Sequence, residues 1–318
     1  MKPTQNDCIR IVKSLTHSST LTGELLVALK TRMKLVVGPT IVPPRYVFRN
    51  IEEYGVSILC VNPTLLKIYC EWYYHKRSNI TSLKKIYVSG SILDDMIYMR
   101  AHEIFKDIQI YNVYGLSEAG PRVSAQREEC CKSNSVGKAI KSVEIVLVDN
   151  DGSISQQGDK GIIHIKTPSQ YSYYVSGAVK YNSLYDGWLN TGDIGYIDLY
   201  GELHITGRID DVMIIDSHKI YPQEIEAIIN KYLSVEECVV IQGELKKQAI
   251  ICCLYRANTP MDHQQIKIVE QYLMPYERPT RYIQVKQIPK LSNGKNDTHS
   301  IKDMLNNVLN NSKGEEYV

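Results

Sequence analysis

One short stretch, residues 113–120 (VYGLSEAG), places a hydroxyl and a carboxylate directly after an apolar run. Ser117 can donate and accept hydrogen bonds, and Glu118 offers the hard oxygen ligands that Mg²⁺ prefers. A turn at Gly115 precedes both residues. Together they could bind a phosphate group and its metal ion at the end of a strand. The stretch taken alone is equally typical of a strand end at which Ser117 caps a turn.

Three further polar stretches follow along the chain, at 187–211 (GWLNTGDIGYIDLYGELHITGRIDD), 219–226 (KIYPQEIE) and 289–295 (PKLSNGK). The Asp193 carboxylate could accept hydrogen bonds from two hydroxyls, and the cations Arg208 and Lys295 suit phosphate. Each of these residues is also compatible with a solvated turn or loop. The NGK sequence is not a P-loop, because no glycine lies five residues before Gly294.

Strand-like and helix-like segments alternate in the first third of the chain. The β-rich runs are 34–38, 56–61, 84–90 and 108–115, and the helical patterns are 43–55, 62–76 and 93–105. This alternation predicts a parallel sheet with covering helices, in which ligands bind beyond the carboxyl ends of the strands. Two such ends are 88–91 (VSGS) and 113–118.

The pattern changes near residue 135. From there to Arg208, short alternating strands and Gly/Asp turns predict a small antiparallel barrel or sheet. Beyond it, an extended piece, a helix starting near Pro222, two strands, a helix at 262–273 and a last helix from 298 predict a small α+β unit. We therefore expect an α/β fold with two domains. They are a large domain at 1–209, split into an α/β part (1–134) and a β part (135–209), and a smaller α+β C-terminal domain at 210–318.

Composition narrows the class of protein. A net charge of +2 over 318 residues predicts neither a nucleic-acid nor a membrane partner, and the apolar runs are too short to span a bilayer. The eight cysteines include no C-x-x-C, which fits neither a zinc site nor a disulfide framework. Reduced thiols, and hence a cytoplasmic location, are the expectation.

In this order and at these distances, the four polar stretches resemble the motifs of the adenylate-forming superfamily. That superfamily comprises acyl- and aryl-CoA synthetases, luciferase and the adenylation domains of peptide synthetases. The resemblance runs from about residue 10 to residue 310. It implies that a small carboxylic acid attacks the α-phosphate of ATP, which gives acyl-AMP and pyrophosphate. A thiol, either of CoA or of a carrier-protein pantetheine, would then take the acyl group.

The resemblance also implies roles for residues of the first two stretches. Ser117 would contact the nucleotide phosphate and Glu118 would bind Mg²⁺. Tyr114 would lie against adenine, with Gly115 beside it in the same motif. Asp193 would hold both ribose hydroxyls.

Further roles follow for residues near and beyond the domain boundary. Arg208 would contact the ribose or a phosphate, and Asp210 would be the hinge about which the C-terminal domain rotates between the two half-reactions. Lys295 would neutralise the charge that develops on the carboxylate and the α-phosphate during adenylation.

A pocket for the acyl group is implied by two weaker matches. The stretch 89–93 (SGSIL) resembles the strand end that lines this pocket and touches adenine, which assigns Ser89, Gly90 and Ser91. His17 resembles a histidine that borders the same pocket. A histidine of this kind is more often structural.

One family motif, the Ser/Thr/Gly-rich phosphate loop that ends in Pro-Lys, has no match in the chain. Its family position lies slightly upstream of the first residues. The partial candidate at 16–26 (THSSTLTGELL) lacks the first Gly, the Pro and the Lys. We therefore expect a fragment with a partial large domain, or one part of a split ligase whose partner chain supplies the loop. The alternative is an inactive homologue that binds a nucleotide, an acyl-AMP or a carrier protein.

Smaller departures concern single positions. The residues that differ from the family pattern are Ile162, Ile214, Ser217 and Thr298, which stand where an acid, a lysine, a glycine and an arginine are common. Because the family glycine often lines the thiol tunnel, these changes affect the transfer step more than adenylation.

Overall fold

The structure is a computed structural model that describes residues 3–39, 42–127, 132–149, 151–173, 184–246, 248–291 and 295–311. By the packing of its Cα atoms it divides into two compact units, Met1–Ile205 and Thr206–Val318.

The strands are β1 (Cys8–Arg10), β2 (Lys34–Val36), β3 (Ile58–Val61), β4 (Lys85–Val88), β5 (Gln109–Tyr114), β6 (Ser124–Ala125), β7 (Lys138–Ala139), β8 (Glu144–Val148), β9 (Gly161–Lys166), β10 (Leu184–Tyr185), β11 (Trp188–Ile197), β12 (Leu203–Arg208), β13 (Met213–Ile215), β14 (His218–Ile220), β15 (Glu237–Leu245), β16 (Gln248–Arg256) and β17 (Arg281–Gln284). The helices are α1 (Ser18–Thr20), α2 (Leu26–Thr31), α3 (Pro44–Tyr54), α4 (Pro63–Lys76), α5 (Asp95–Ile104), α6 (Pro222–Tyr232), α7 (His263–Glu270) and α8 (Thr298–Asn311), with a π-helical segment, Leu21–Leu25, between α1 and α2.

The first unit is built on a seven-stranded sheet in the order β2-β1-β3-β4-β5-β6-β7. The strands β2, β1, β3, β4 and β5 are parallel, and β6 and β7 continue the sheet antiparallel. The predicted α/β fold with a parallel sheet is thus confirmed. Strand β1 was not predicted, although its central residue Ile9 is fully buried between two neighbouring strands.

Local signals explain where the covering helices begin and end. Helix α3 starts with Pro44 and stops at Gly55, which takes the left-handed conformation at φ 69°. Asn62 caps α4 by accepting a hydrogen bond from the Leu65 amide at 2.8 Å, and Asp94 caps α5 in the same way. These three helices bury one face of the sheet, and the segment from α1 to α2 covers the other.

The β part of the first unit is a second, antiparallel sheet in the order β10-β11-β9-β8, with β12 also paired to β11. Its core contains the fully buried side chains of Ile163, Ile165 and Leu189. This agrees with the small antiparallel sheet expected from the alternating pattern.

The second unit packs three helices on a three-stranded sheet, β15-β16-β17. Helices α6 and α7 bury one face of this sheet, and α8 buries the opposite face through Ile301 and Leu305. Helix α6 begins with Pro222, as the sequence predicts. The hairpin of β13 and β14 and the parallel strand β17 were not predicted.

The division between the units falls between Ile205 and Thr206, slightly before the predicted boundary at Asp210. A Cβ atom at Gly207 would lie 2.6 Å from Gln223 Oε1, so the end of β12 packs closely against the start of α6. This contact groups the end of the strand with the second unit. The hinge at Asp210 stays a prediction.

Two further sequence expectations concern cysteines and membranes. Six cysteines of the described residues are free and buried, while Cys130 and Cys131 lie outside those residues. Among the described helices, none is long and apolar enough to cross a membrane.

Candidate functional site

A tight loop follows β5 and carries the first group of candidate residues. The Val123 amide donates a hydrogen bond to the Tyr114 carbonyl at 2.9 Å and closes the loop. Inside it, Gly115 lies directly against the Pro121 carbonyl, and a Cβ at this position would also be 2.9 Å from Arg122 Cα. Only glycine fits there. The closed loop fixes its side chains at the carboxyl end of the parallel sheet, where ligands of such sheets bind.

Tyr114 and Asp193, from motifs far apart in the sequence, meet at the start of this loop. Tyr114 Oη donates to Asp193 Oδ2 at 2.6 Å. Asp193 is half-buried and lies where the pairing of β11 with β9 shifts register, and such a bulge redirects a side chain. The Asp193 amide donates to Thr191 Oγ1 at 3.1 Å, and that hydroxyl donates to the Ile163 carbonyl at 2.8 Å. The carboxylate is therefore held by both its side chain and its backbone.

Ser117 lies on the exposed rim of the loop and contacts the beginning of helix α1. Its Oγ is 2.8 Å from Ser18 Oγ, a hydrogen bond between residues 99 positions apart. His17, exposed, occupies the position before α1, and its carbonyl accepts from the Thr20 and Leu21 amides. The partial candidate for a phosphate loop, residues 16–26, is therefore mostly helical, which is not the backbone of an anion-cradling loop.

Glu118 occupies the middle of a short 3₁₀ turn, Ser117–Ala119, and is half-buried. Its carbonyl accepts from the Tyr171 amide at 2.8 Å, which fixes the turn. Among the described residues, no group of three or more His, Cys, Asp or Glu side chains could hold a metal ion. A single carboxylate fits Mg²⁺ that is held chiefly by the phosphates of a nucleotide.

The stretch Ser89, Gly90 and Ser91 follows the carboxyl end of β4. The Ser89 amide donates to the Val61 carbonyl at 3.0 Å, which joins this segment to the end of β3. Gly90 has φ 109°, a conformation that side chains rarely adopt. Because β4 pairs with β5, the stretch lies at the same edge of the sheet as the Tyr114 loop.

Arg208 and Asp210 belong to the second unit. Arg208 ends β12 and precedes a 3₁₀ turn, Ile209–Asp211, and both Arg208 and Asp210 are exposed. The neighbouring Asp211 accepts a hydrogen bond from Gln223 Nε2 at 3.0 Å, which ties the turn to α6.

Lys295 also lies in the second unit and is exposed. Its carbonyl accepts from the Leu291 amide at 2.8 Å, which forms a small hairpin. Lys290 stabilises this hairpin by a 2.5 Å hydrogen bond to Asn296 Oδ1 and by an ion pair with Glu237. The intervening residues 292–294, which belong to the predicted PKLSNGK motif, lie outside the described residues.

Three polar residues that touch this site were not predicted. Ser18 bonds to Ser117, the Arg122 guanidinium lies against the helix backbone at Gly23, and Glu24 is fully buried in the π-helical segment. Arg122 follows Glu118 closely in the sequence, and this proximity could have indicated that Arg122 belongs to the site. Nothing in the sequence distinguishes Glu24 from a surface acid.

Polar side chains gathered at the carboxyl ends of parallel strands are the arrangement with which α/β proteins of this class bind ligands. Comparison with protein families agrees. Residues 2–175, more than half of the chain, match the family described as AMP-binding enzyme, and residues 224–295 match the AMP-binding enzyme C-terminal domain. The chain belongs to the AMP-binding enzyme family, and hence to the adenylate-forming superfamily that its motifs resemble.

Curated relatives are ligases. A 2-succinylbenzoate–CoA ligase of Listeria monocytogenes is 30% identical over 205 residues, which cover 62% of this chain and 41% of the relative. The 4-coumarate–CoA ligase CCL1 of Humulus lupulus is 24% identical over 303 residues, 92% of this chain and 55% of the relative. The chain thus spans about half the length of the curated relatives it matches.

Solved structures share the fold. ATP-bound MatB from Rhodopseudomonas palustris superposes with a TM-score of 0.87 at 20% identity, over 96% of this chain and 61% of that one. The O-succinylbenzoate coenzyme A synthetase MenE from Bacillus subtilis, in complex with ATP and magnesium ion, gives 0.82 at 23% identity, over 96% and 62%.

Proposed function

We propose that this chain takes part in ATP-dependent activation of a small carboxylic acid to acyl-AMP, followed by transfer of the acyl group to a thiol. The observation that carries the proposal is the 2.6 Å hydrogen bond from Tyr114 to Asp193, which joins two motifs expected to bind the nucleotide, 79 residues apart. The relatives named as CoA ligases support CoA as the acceptor. A carrier-protein pantetheine is the other candidate.

Each residue of the first unit has a role that its surroundings support. Asp193, oriented by Tyr114, accepts hydrogen bonds from the ribose hydroxyls, and an ionised carboxylate is a strong acceptor for two donors. Ser117 donates to a phosphate oxygen, and Glu118 binds Mg²⁺. The metal, when bound, neutralises charge on the polyphosphate. Gly115 keeps the loop closed behind these side chains.

Residues of the second unit act on the reacting groups. The exposed ammonium of Lys295 stabilises the negative charge that develops between the carboxylate and the α-phosphate. Arg208 contacts the ribose or a phosphate, and Asp210 is the hinge between the two half-reactions. Around the acyl group, Ser89, Gly90 and Ser91 line the pocket, and His17 borders it.

A further polypeptide segment, on the same or another chain, supplies the phosphate loop. Support comes from the helical segment that follows Ser18, which exposes three leucines along its length: Leu21, Leu26 and Leu29 are 43%, 49% and 64% exposed. Such a run of exposed apolar side chains is typical of a surface that packs against another segment.

The test is carboxylate-dependent ATP–pyrophosphate exchange, measured on the chain alone and on the chain co-expressed with the part of the Listeria relative that it does not cover. Lys295→Ala should abolish exchange but retain AMP binding, because this lysine acts on the transition state. Lys286→Ala, an exposed lysine of the same unit, serves as the control and should retain both activities. Equal exchange in both variants would overturn the role of Lys295. AMP binding without exchange in any form of the wild type would favour the binding module.

A further inference from the structure

Behind the Tyr114 loop, two cations face one carboxylate. The Glu24 side chain is fully buried, and its Oε1 lies 3.3 Å from Lys13 Nζ, whose side chain is 11% exposed. Burial raises the pKa of the Glu24 carboxyl to about 6, although Lys13 and Arg122 oppose the shift. At neutral pH Glu24 is therefore ionised. Lys13 balances its charge, and the charge of Arg122 is left over.

Arg122 has hydrogen-bond donors to spare. Within the described part of the chain, the guanidinium donates only to Cys60 Sγ, at 4.0 Å, and it lies 5.7 Å from the centroid of the Tyr87 ring. A guanidinium carries five N–H donors, and neither a thiol nor a ring face satisfies them as an oxygen does. A half-buried arginine in this state is suited to an incoming oxyanion.

Glycine at position 23 makes room for this cation. A Cβ there would lie 3.0 Å from Arg122 Nε and 3.1 Å from Nη2, closer than such contacts normally allow. The guanidinium therefore turns its Nε–Nη2 edge toward the helix at Gly23, with the Tyr87 ring nearby. Its position is set by packing, which lowers the entropy lost when a ligand binds.

The same two elements carry the nucleotide residues and this cation. Ser117 meets the helical segment at Ser18, and Arg122 meets it at Gly23. Five residues of helix correspond to about 7 Å along its axis. A small acyl group joined to a phosphate at Ser117 could reach Arg122 over this distance.

We propose, on the basis of the proposed function, that Arg122 is a specificity-determining residue. It binds an oxyanion at the far end of the acid, so the substrate is a carboxylic acid with a second anionic group, such as a dicarboxylic acid, rather than a simple fatty acid. A planar guanidinium and a carboxylate form two parallel hydrogen bonds, which also orients the acid. Because Lys13 pairs with Glu24, the positive charge of Arg122 can pair with the anionic group of the ligand.

Calorimetric titration of the full chain tests this with AMP and with sulfamoyl-adenosine mimics of acyl-AMP. The mimics come in pairs of equal length, one acyl chain ending in a carboxylate and one in a methyl group, from succinyl and butanoyl to adipoyl and hexanoyl. In the pair that wild type binds most tightly, its affinity for the mimic ending in a carboxylate should exceed its affinity for the mimic ending in a methyl group by about tenfold or more. Arg122→Gln should lose this preference, and Arg122→Lys should keep part of it. AMP affinity should stay unchanged in both variants, and Arg127→Gln, on an exposed arginine nearby, should behave as wild type.

The outcomes separate the two proposals. If AMP and every mimic fail to bind wild type, the proposed function falls and this inference falls with it. If AMP binds but the paired mimics bind equally, only the substrate class is overturned. If Arg122→Gln instead weakens ATP relative to AMP, the oxyanion is a nucleotide phosphate and the assignment to the acid is wrong. Near-ultraviolet circular dichroism identifies a variant that is misfolded. If Arg122→Gln is misfolded, the preference measured with Arg122→Lys decides whether Arg122 recognises the second anionic group.

Discussion

Tyr114 and Lys295 are both expected site residues, but the structure holds them in different ways. Tyr114 donates to Asp193 on a different sheet, and its loop is closed by the Val123 amide and packed at Gly115. Lys295 is exposed, and its described hairpin is held by two backbone bonds, from the Leu291 amide to the Lys295 carbonyl and from the Asp297 amide to the Pro289 carbonyl, and by the side chain of Lys290.

The difference shows how each residue depends on the fold. Around Tyr114, a close backbone contact fixes the geometry, so a small change there must disturb the packing of the first unit. Around Lys295, exposed polar contacts fix the geometry, and such contacts contribute only about 0–1 kcal/mol each. The residues of the Tyr114 loop are therefore preorganised, whereas the lysine hairpin can be altered without unfolding its unit.

Gly115→Ala should have the largest effect. A Cβ would collide with the Pro121 carbonyl and lie 2.9 Å from Arg122 Cα, so the loop must open. We expect the free energy of unfolding of the first unit to fall by about 3 kcal/mol or more. Both tryptophans, Trp72 and Trp188, lie in this unit, so urea unfolding followed by tryptophan fluorescence reports it.

The matched control for this variant is Gly152→Ala. Gly152 has a positive φ, 89°, which Gly115 does not have, and nothing lies within 4 Å of a Cβ built there. Backbone strain alone should cost about 1–2 kcal/mol. If the two variants lose the same stability, the loop is not held by the contact at Gly115, and the contrast with the lysine hairpin disappears.

Glu24→Gln should have an intermediate effect that depends on pH. The folded pKa of the Glu24 carboxyl, about 6, lies above the ordinary value of 4.5, so between these values the folded state binds more protons than the unfolded state. The carboxyl therefore lowers the free energy of unfolding as pH rises through this window, by about 2 kcal/mol in total. Fluorescence-detected urea unfolding at pH 4 to 7.5 should show this fall in wild type and not in Glu24→Gln.

Glu103→Gln is the control, because Glu103 is an exposed glutamate on α5 paired with Arg100. It should follow the wild-type pH profile closely. A Glu24→Gln profile that also follows wild type would mean that the carboxyl is not buried behind the loop. The electrostatic basis for assigning a spare charge to Arg122 would then be lost.

The sequence was sufficient for the parts of the fold with strong local signals. The alternation of strands and helices predicted the parallel sheet, because each element has its own periodicity and its own caps, such as Asn62 and Gly55. It was not sufficient for β1, which has only three residues and no alternation. Strand β1 is formed by its pairing with β2 and β3, which no local window contains.

The candidate site, like the fold, contains parts that the sequence predicts and parts that it does not. The stretches around Ser117, Asp193 and Lys295 were recognisable as motifs, but the sequence could not show which side chains meet. The Ser18–Ser117 bond joins residues 99 positions apart, and Glu24 lies in an apolar run from which burial cannot be distinguished from exposure. Contacts of this kind depend on tertiary packing, so they became visible only in the folded chain.

Lys290→Met should have the smallest effect on stability and the most local one on dynamics. It removes the ion pair with Glu237 and the bond to Asn296, so the free energy of unfolding should fall by no more than about 1 kcal/mol. The Leu291 amide, which donates to the Lys295 carbonyl, should exchange its hydrogen about fivefold faster. Arg256→Met is the control, since it removes the partly exposed ion pair with Glu236 on the same sheet and should leave this amide unchanged. Equal exchange of the Leu291 amide in both variants would show that the lysine hairpin does not depend on Lys290. The Tyr114 loop and the lysine hairpin would then differ less in how they are held than their contacts indicate.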